Sequence, residues 1–300
     1  MVAVAIVAIC AGAAALTPHH WLPPAVDALR WVVGFGLVSR LERFVFESLD
    51  HTTSDVPISG DALAWEAVSR CAPPGFERAR KQVDPARPDV ETTFVRMDTE
   101  ALRLRLHRGG APPTDSVAAF NGAFQIDHGR FGLRTGGVSH VTPRQGAGTL
   151  GVDADGRVKL WTWTSEDAED QWVDLRQNLQ LLLDTTRTPA VLEKMTLVAD
   201  GRTEQIGLAP TRRSGVCLDG HWLVYVWSRR ATAATLGRAM EEAGCTRGLH
   251  LDSNAFHTRF EFLDGCVELA APEMTDGPRG RFRSPQSRDF FTVARPQADP

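Results

Sequence analysis

The densest run of reactive side chains in this chain of 300 residues is His250-Leu-Asp252-Ser-Asn254-Ala-Phe-His257. Two imidazoles and a carboxylate within eight positions suit two chemistries. His250, Asp252 and His257 have the donor types of a divalent-metal site. Alternatively, Asp252 is a catalytic carboxylate, with Asn254 and His257 orienting substrate or moving protons. The plainer reading is a polar strand end, in which Asp252 caps the next turn. Two further features have similar double readings. Asn121-Gly122 is a strong turn dipeptide, yet glycine would also let backbone approach a ligand closely while the Asn amide donates to it. Arg212-Arg213 is a surface pair or an anion clamp, because a guanidinium grips phosphate in bidentate fashion. Phosphate loops, H-E-x-x-H and the G-x-S-x-G elbow are absent, and no G-x-G-x-x-G follows a predicted strand. Their absence disfavours a P-loop enzyme, a Rossmann dehydrogenase and an α/β-hydrolase.

The elements that must position these residues read mainly as strands. Leu102, Leu104 and Leu106 alternate with Arg103 and Arg105, the period of a half-buried strand. Thr149–Val152 and Val158–Trp163 flank Asp153-Ala-Asp-Gly156 as a hairpin. Seven glycines between Gly129 and Gly151 predict a long irregular loop. Trp222–Trp227 is an unbroken buried-strand run. It is followed by a helix over Thr232–Ala243, closed by Gly244, and a short strand at Gly248–Leu251. Strand, helix and strand predict a parallel βαβ crossover, with Asp252 beyond a strand's carboxyl end where α/β sheets bind ligands. Phe260–Phe262, Val267–Leu269 and Phe290–Val293 complete the strands. The expected fold class is therefore mixed α/β, a single strand-rich body over about residues 90–295.

Ahead of that body the sequence predicts two other segments. Val2–Leu16 is apolar throughout, and no charged residue precedes Asp27. As a helix it would reach only about 22 Å, so residues 1–38 read as a signal peptide or membrane anchor, with membrane contact through residues 2–38. Residues 39–89 read as a proline-broken spacer holding one short helix near Asp61–Arg70. An exported protein is expected, periplasmic, secreted or anchored in the cell envelope. Apart from Cys10 in the leader, the cysteines are Cys71, Cys217, Cys245 and Cys266, without metal-type spacing. They read as buried free thiols in preference to disulfides. Hydrophobic residues make up 43% of the chain and charged ones 23%, with a net charge of −4. This is globular composition with no electrostatic case for nucleic acid. Lys81, Lys159 and Lys194 are the only lysines among 33 basic residues. Any bound anion is thus expected to meet guanidinium groups.

The order of several short motifs resembles the phosphodiester glycosidase domain, the family of uncovering-enzyme-like N-acetylglucosamine-1-phosphodiester alpha-N-acetylglucosaminidases. Ala118-Ala-Phe-Asn121-Gly122-Ala-Phe124 is similar to its "aavNGgfF" element, and Thr149–Gly156 to the hairpin after its glycine-rich loop. Arg213-Ser-Gly215 stands where an Arg-Thr-Ala-like run opens a strand. Ala234–Gly244 is similar to the helix ending in "lGc", and Gly248–Asp252 to "AlnLD". Ser284-Pro-Gln-Ser-Arg288-Asp289-Phe-Phe291 is similar to endings of bacterial members. The resemblance implies a hydrolase of sugar-phosphate diesters or envelope-glycan linkages, working without a cofactor. In it Asp252 is catalytic with Asn254 and His257 nearby. Asn121, Gly122 and Arg213 hold substrate, and Gln177 and Asn178 also line the site. A second carboxylate would be Asp127, Asp219 or Glu261. One departure is evident: Ser253–Thr258 replaces the glycine-rich run that the family places after Leu-Asp. A bulkier wall there implies another substrate or a non-catalytic glycan-binding envelope protein. A metal-dependent hydrolase using His250, Asp252 and His257 is the third reading.

Overall fold

The computed structural model describes residues 61–85, 87, 89–184, 196–199, 202–205, 207, 210–254, 257–274 and 277–296. The leader and the spacer's first part, residues 39–60, lie outside them. In chain order the strands are β1 (Glu66–Ala67), β2 (Phe76–Gln82), β3 (Glu91–Asp98), β4 (Arg103–His107), β5 (Ser116–Asn121) and β6 (Leu133–Thr135). Next come β7 (Val138–Val141), β8 (Gly148–Val152), β9 (Val158–Thr162), β10 (Asp174–Gln177), β11 (Thr196–Ala199) and β12 (Arg202–Gln205). The last are β13 (Thr211–Asp219), β14 (Trp222–Ala231), β15 (Arg247–His250), β16 (Phe260–Phe262), β17 (Glu268–Leu269) and β18 (Phe290–Ala294). A helix, α1 (Ala233–Glu242), joins β14 to β15.

These strands form a six-stranded sheet β1-β2-β3-β14-β13-β15, two five-stranded sheets β7-β6-β10-β8-β9 and β17-β16-β5-β18-β4, and the hairpin β11-β12. Every adjacent pair is antiparallel. The mixed α/β expectation is therefore corrected: this is an antiparallel β fold with a single α-helix among the described residues. The strand-helix-strand unit exists, but β13 lies between β14 and β15 and pairs antiparallel with both. The two flanking strands thus share a direction without touching. Thr232 caps α1, its Oγ1 accepting from Thr235 N at 3.0 Å, and Leu236, Ala239 and Met240 lie buried beneath it. The helix sits close because position 248 is glycine; a Cβ there would lie 2.2 Å from Met240 Sδ.

Two cores explain the run Trp222–Trp227. Leu223, Tyr225 and Trp227 face one core, shared with Phe120, Phe260, Phe262 and Phe291. Val224 and Val226 face the other, beneath Leu236 and Met240. A strand covered on both faces needs apolar residues at every position, whichever way its neighbours run. Residues 61–70 hold β1 in place of the expected helix, and β2 pairs along β3. The glycine-rich stretch contains the β6-β7 hairpin, and Asn121-Gly122 is a strand end and not a turn.

The four described cysteines are not free thiols. Cys71–Cys266 closes a sequence separation of 195 and Cys217–Cys245 one of 28. Replacing Cys71 and Cys266 together by alanine is expected to remove about 2–5 kcal/mol of stability. A urea midpoint equal to wild type would show that this bond carries none.

Candidate active site

Asp252 stands two residues past the end of β15. Its main chain stays tied to β13: Leu251 N donates to Ser214 O and Ser214 N to Asp252 O, both at 2.9 Å. The side chain then turns along the loop. Oδ1 accepts from Ser253 N at 2.7 Å and Asn254 N at 2.9 Å, and Oδ2 pairs with Arg288 Nη1 at 3.0 Å. The residue is 2% exposed. Burial raises its pKa to about 6, against the opposing pull of Arg288 and the two amides; Asp289 pushes it further up. With Asn121, Gly122, Ala123, His257, Arg281, Phe282, Gln286, Arg288, Asp289 and Phe290, Asp252 lines a small cleft.

Asn121, Gly122, Asp252 and His257 were all expected at a site, and they do converge. Their roles differ from the expectation. Asn121 Nδ2 donates to Gly122 O (2.8 Å) and Ser214 Oγ (2.9 Å), while Oδ1 accepts from Tyr225 OH (2.9 Å) and Arg259 N (3.0 Å). All four of its hydrogen-bonding positions are thus taken. The amide joins the six-stranded sheet to the sheet that holds β5 and has no donor to spare for a ligand. Gly122 has the close approach expected of it, but toward protein: its N donates to Asp289 O at 3.1 Å.

Arg213 is the clearest correction. Successive strand residues point to opposite faces, so Ser214 faces the Asn121–Asp252 junction and Arg213 is turned away. It is 1% exposed, its Nε donates to Ala231 O at 2.6 Å, and burial lowers its pKa to about 10. It cannot clamp an anion in the cleft. The arginines that line the cleft are Arg281 and Arg288, and neither stood out in the sequence as a ligand. The signal available was Arg288-Asp289 immediately ahead of an aromatic strand.

Gln177 and Asn178 are scaffold. Gln177 Oε1 accepts from Gly132 N (3.1 Å) and Arg144 N (2.7 Å), and Nε2 donates to Thr149 Oγ1 (3.0 Å). Asn178 Nδ2 donates to the carbonyls of His250 (2.7 Å) and Leu251 (2.8 Å), fixing the strand end that carries Asp252. Asn254 shapes the following loop, its carbonyl accepting from His257 N and Thr258 N at 3.0 Å each. His250 does not share the cleft with Asp252. It lies edge-on to Phe124 with ring centroids 5.1 Å apart. Its pKa is held well below normal by burial and by Arg213, a shift that the Asp252 main chain opposes. The His250–Asp252–His257 triad is therefore not assembled. Among the described residues, no group of three His, Cys, Asp or Glu side chains has the placement for a metal ion.

None of the three expected second carboxylates lines the cleft. Asp127 is exposed. Asp219 ends β13 beside Gly244. Glu261 is spent on Arg259 and on the amides of Gly280, Arg281 and Phe282, where it holds the one-turn 3-10 helix Arg281–Arg283. The carboxylate that does line the cleft is Asp289. Its Oδ2 accepts from Arg176 Nε at 2.8 Å and Ala123 N at 3.0 Å. Asp252 is thus the cleft carboxylate whose titration is shifted toward neutrality.

No protein-family model matches the sequence, and no curated protein does. Solved structures share its fold. The catalytic domain of zebrafish N-acetylglucosamine-1-phosphodiester alpha-N-acetylglucosaminidase, auto-inhibited by its pro-peptide, aligns with a TM-score of 0.50 at 13% identity. The match covers 79% of this chain and 89% of that one. A hypothetical protein from Synechocystis aligns with a TM-score of 0.50 at 10% identity, over 81% of this chain and 64% of the other. At such identities the likeness is one of fold. The chain shares its fold with that catalytic domain, and what its own cleft does must be argued from its residues.

Proposed function

We propose that this protein is an exported hydrolase of the phosphodiester glycosidase type, cleaving the bond between a sugar's anomeric carbon and a phosphodiester oxygen. The observation that carries this reading is the arrangement at the cleft. A buried carboxylate titrating near neutrality, Asp252, stands beside two guanidinium groups, Arg281 and Arg288. The chemistry suits such a set. Glycoside hydrolysis commonly requires one carboxylate as base or nucleophile and a second as acid for the leaving oxygen. A phosphate leaves as a stable anion and needs no proton. One reactive carboxylate then suffices, and the arginines stabilise the charge that accumulates on the departing phosphate. Asp252 acts in its ionised form: the C–O bond to phosphate breaks, water supplies the new oxygen, and its proton passes to the carboxylate. The glycosidase-like fold supports the reading. Two disulfides and the apolar leader support export, since disulfides persist in oxidising compartments.

The test is turnover of a chromogenic sugar-phosphate diester by the purified full chain. Activity is expected to fall as pH drops through about 6, where Asp252 takes up its proton. Asp252→Asn is expected to lose at least ~1000-fold in kcat, the size of effect seen when an essential catalytic group is removed. No turnover by wild type, or equal turnover by the variant, would reject the assignment.

A further inference from the structure

His257 stands in the run where the chain departs from the resemblance, and its ring is held in a way that settles its proton. Arg281 Nη2 lies 3.1 Å from His257 Nδ1. A guanidinium has five N–H donors and no acceptor, so Nδ1 must accept, and the proton of the neutral ring sits on Nε2. The surroundings keep the ring neutral. Burial, Arg288 and Arg281 together lower its pKa to about 3. The carboxylates around the cleft offset this little, because each is engaged elsewhere: Asp252 by Arg288, Asp289 by Arg176 and Glu261 by Arg259. The ring lines the cleft together with Arg281 and Arg288. No other hydrogen bond to it is found among the described residues. That wall therefore offers donors.

We propose that His257 is a fixed neutral hydrogen-bond donor, presenting Nε2–H to a tetrahedral oxyanion held in the cleft beside Arg281 and Arg288. Because the donor is an imidazole and not an imidazolium, its contact with the anion persists through neutral pH. The role excludes His257 as the acid or base of the reaction. It rests on the reading of the cleft as a phosphodiester site and adds the residue that recognises the anion's oxygen.

Two measurements test it on the full chain. The first needs no variant: nitrogen-15 NMR of labelled histidine is expected to show His257 as the Nε2–H tautomer, unchanged between pH 5 and 8. An Nδ1–H tautomer or a titrating ring overturns the proposal. The second uses sulfate as probe, because it does not itself titrate in that range. His257→Gln retains an acceptor for Arg281 and a donor for the ligand, and is expected to bind sulfate within about threefold of wild type. His257→Phe keeps the bulk and is expected to bind at least ~10-fold more weakly, the loss of one hydrogen bond to a charged group. Equal binding by His257→Phe, or no binding by wild type, overturns it. The two readings fail separately. Sulfate and NMR results as expected without diester turnover remove the glycosidase; Asp252-dependent turnover with sulfate binding indifferent to His257→Phe removes the donor.

Discussion

Gly122→Ala is expected to destabilise the protein by about 3–5 kcal/mol, a large share of the 5–15 kcal/mol that holds a typical domain together. The reason is space at one point of the cleft floor. A Cβ at position 122 would lie 2.0 Å from Asp289 Oδ2, 2.7 Å from its Cγ and 2.6 Å from its carbonyl oxygen. Asp289 has nowhere to retreat. Its carboxylate is fixed by Arg176 Nε and Ala123 N, and its main chain leads into β18, where Phe290 pairs with Asn121. A methyl group must either spread β5 from β18 or push the carboxylate off Arg176. The second route leaves a guanidinium with 0% side-chain exposure facing the core without its counter-charge, which is the costly way to break a buried pair. Urea unfolding of the purified variant measures the loss. A change below about 1 kcal/mol would mean that the strands separate there at little cost, and that Asp289 is not the fixed wall described above. Turnover should fall in the same variant, since Arg288, adjacent to Asp289, carries the ion pair to Asp252.

How much of this was legible in the sequence depends on the kind of statement. Element positions were readable wherever one face alone is buried: Leu102, Leu104 and Leu106 alternate with arginines because β4 has one wet face. Trp222–Trp227 showed a doubly covered strand, but continuous burial has the same signature in parallel and antiparallel sheets. With a helix and a short strand following, the parallel reading was natural; the Asp219-Gly220 turn marks β13 as the hairpin partner of β14, but nothing local shows that β15 then pairs on β13's other edge. The site was half readable for a similar reason. Asp252 sits where a strand ends, and that is a local fact. Which arginine reaches it is not. Arg213 is close in pairing but faces away, because a shift of one residue along a strand reverses the side chain. Arg288 arrives from the far end of the chain through the pairing of β18 with β5. Asn121 was found, yet its role as a hub among Ser214, Tyr225 and Arg259 exists only after three distant strands meet. The cysteines were misjudged on the same ground, since the bond between Cys71 and Cys266 is a property of the closed fold.

Asp252→Asn is expected to gain stability over wild type as pH rises, by up to ~3 kcal/mol between pH 4 and pH 7. The sign follows from proton uptake. Burial raises the carboxyl from the ordinary 3.8 to about 6 in the folded protein, so at intermediate pH the folded state holds a proton that the unfolded chain has released. The neutral acid's contribution to stability is complete below the unfolded pKa and is lost as pH rises through about 6. Above that, the fold carries an ionised carboxylate in a site 2% exposed, offset in part by Arg288 and by the Ser253 and Asn254 amides. Asparagine keeps an oxygen for those amides and never ionises. Comparing the two proteins cancels the other titrations, above all His250 and His257, whose depressed pKa values work oppositely and destabilise the fold as pH falls below the ordinary histidine value of 6.5. Unfolding free energies measured at half-unit steps from pH 4 to pH 7 give the difference curve directly. A flat curve, or one that favours wild type increasingly toward pH 7, would place the folded pKa of Asp252 at or below its ordinary value. The ion pair with Arg288 would then outweigh burial, and the carboxylate would be a structural anchor. A rise that runs from the ordinary value of 3.8 and levels off above about 6, alongside loss of turnover in the same variant, would mean that the fold gives up stability at neutral pH to keep this one carboxylate ionised in the cleft.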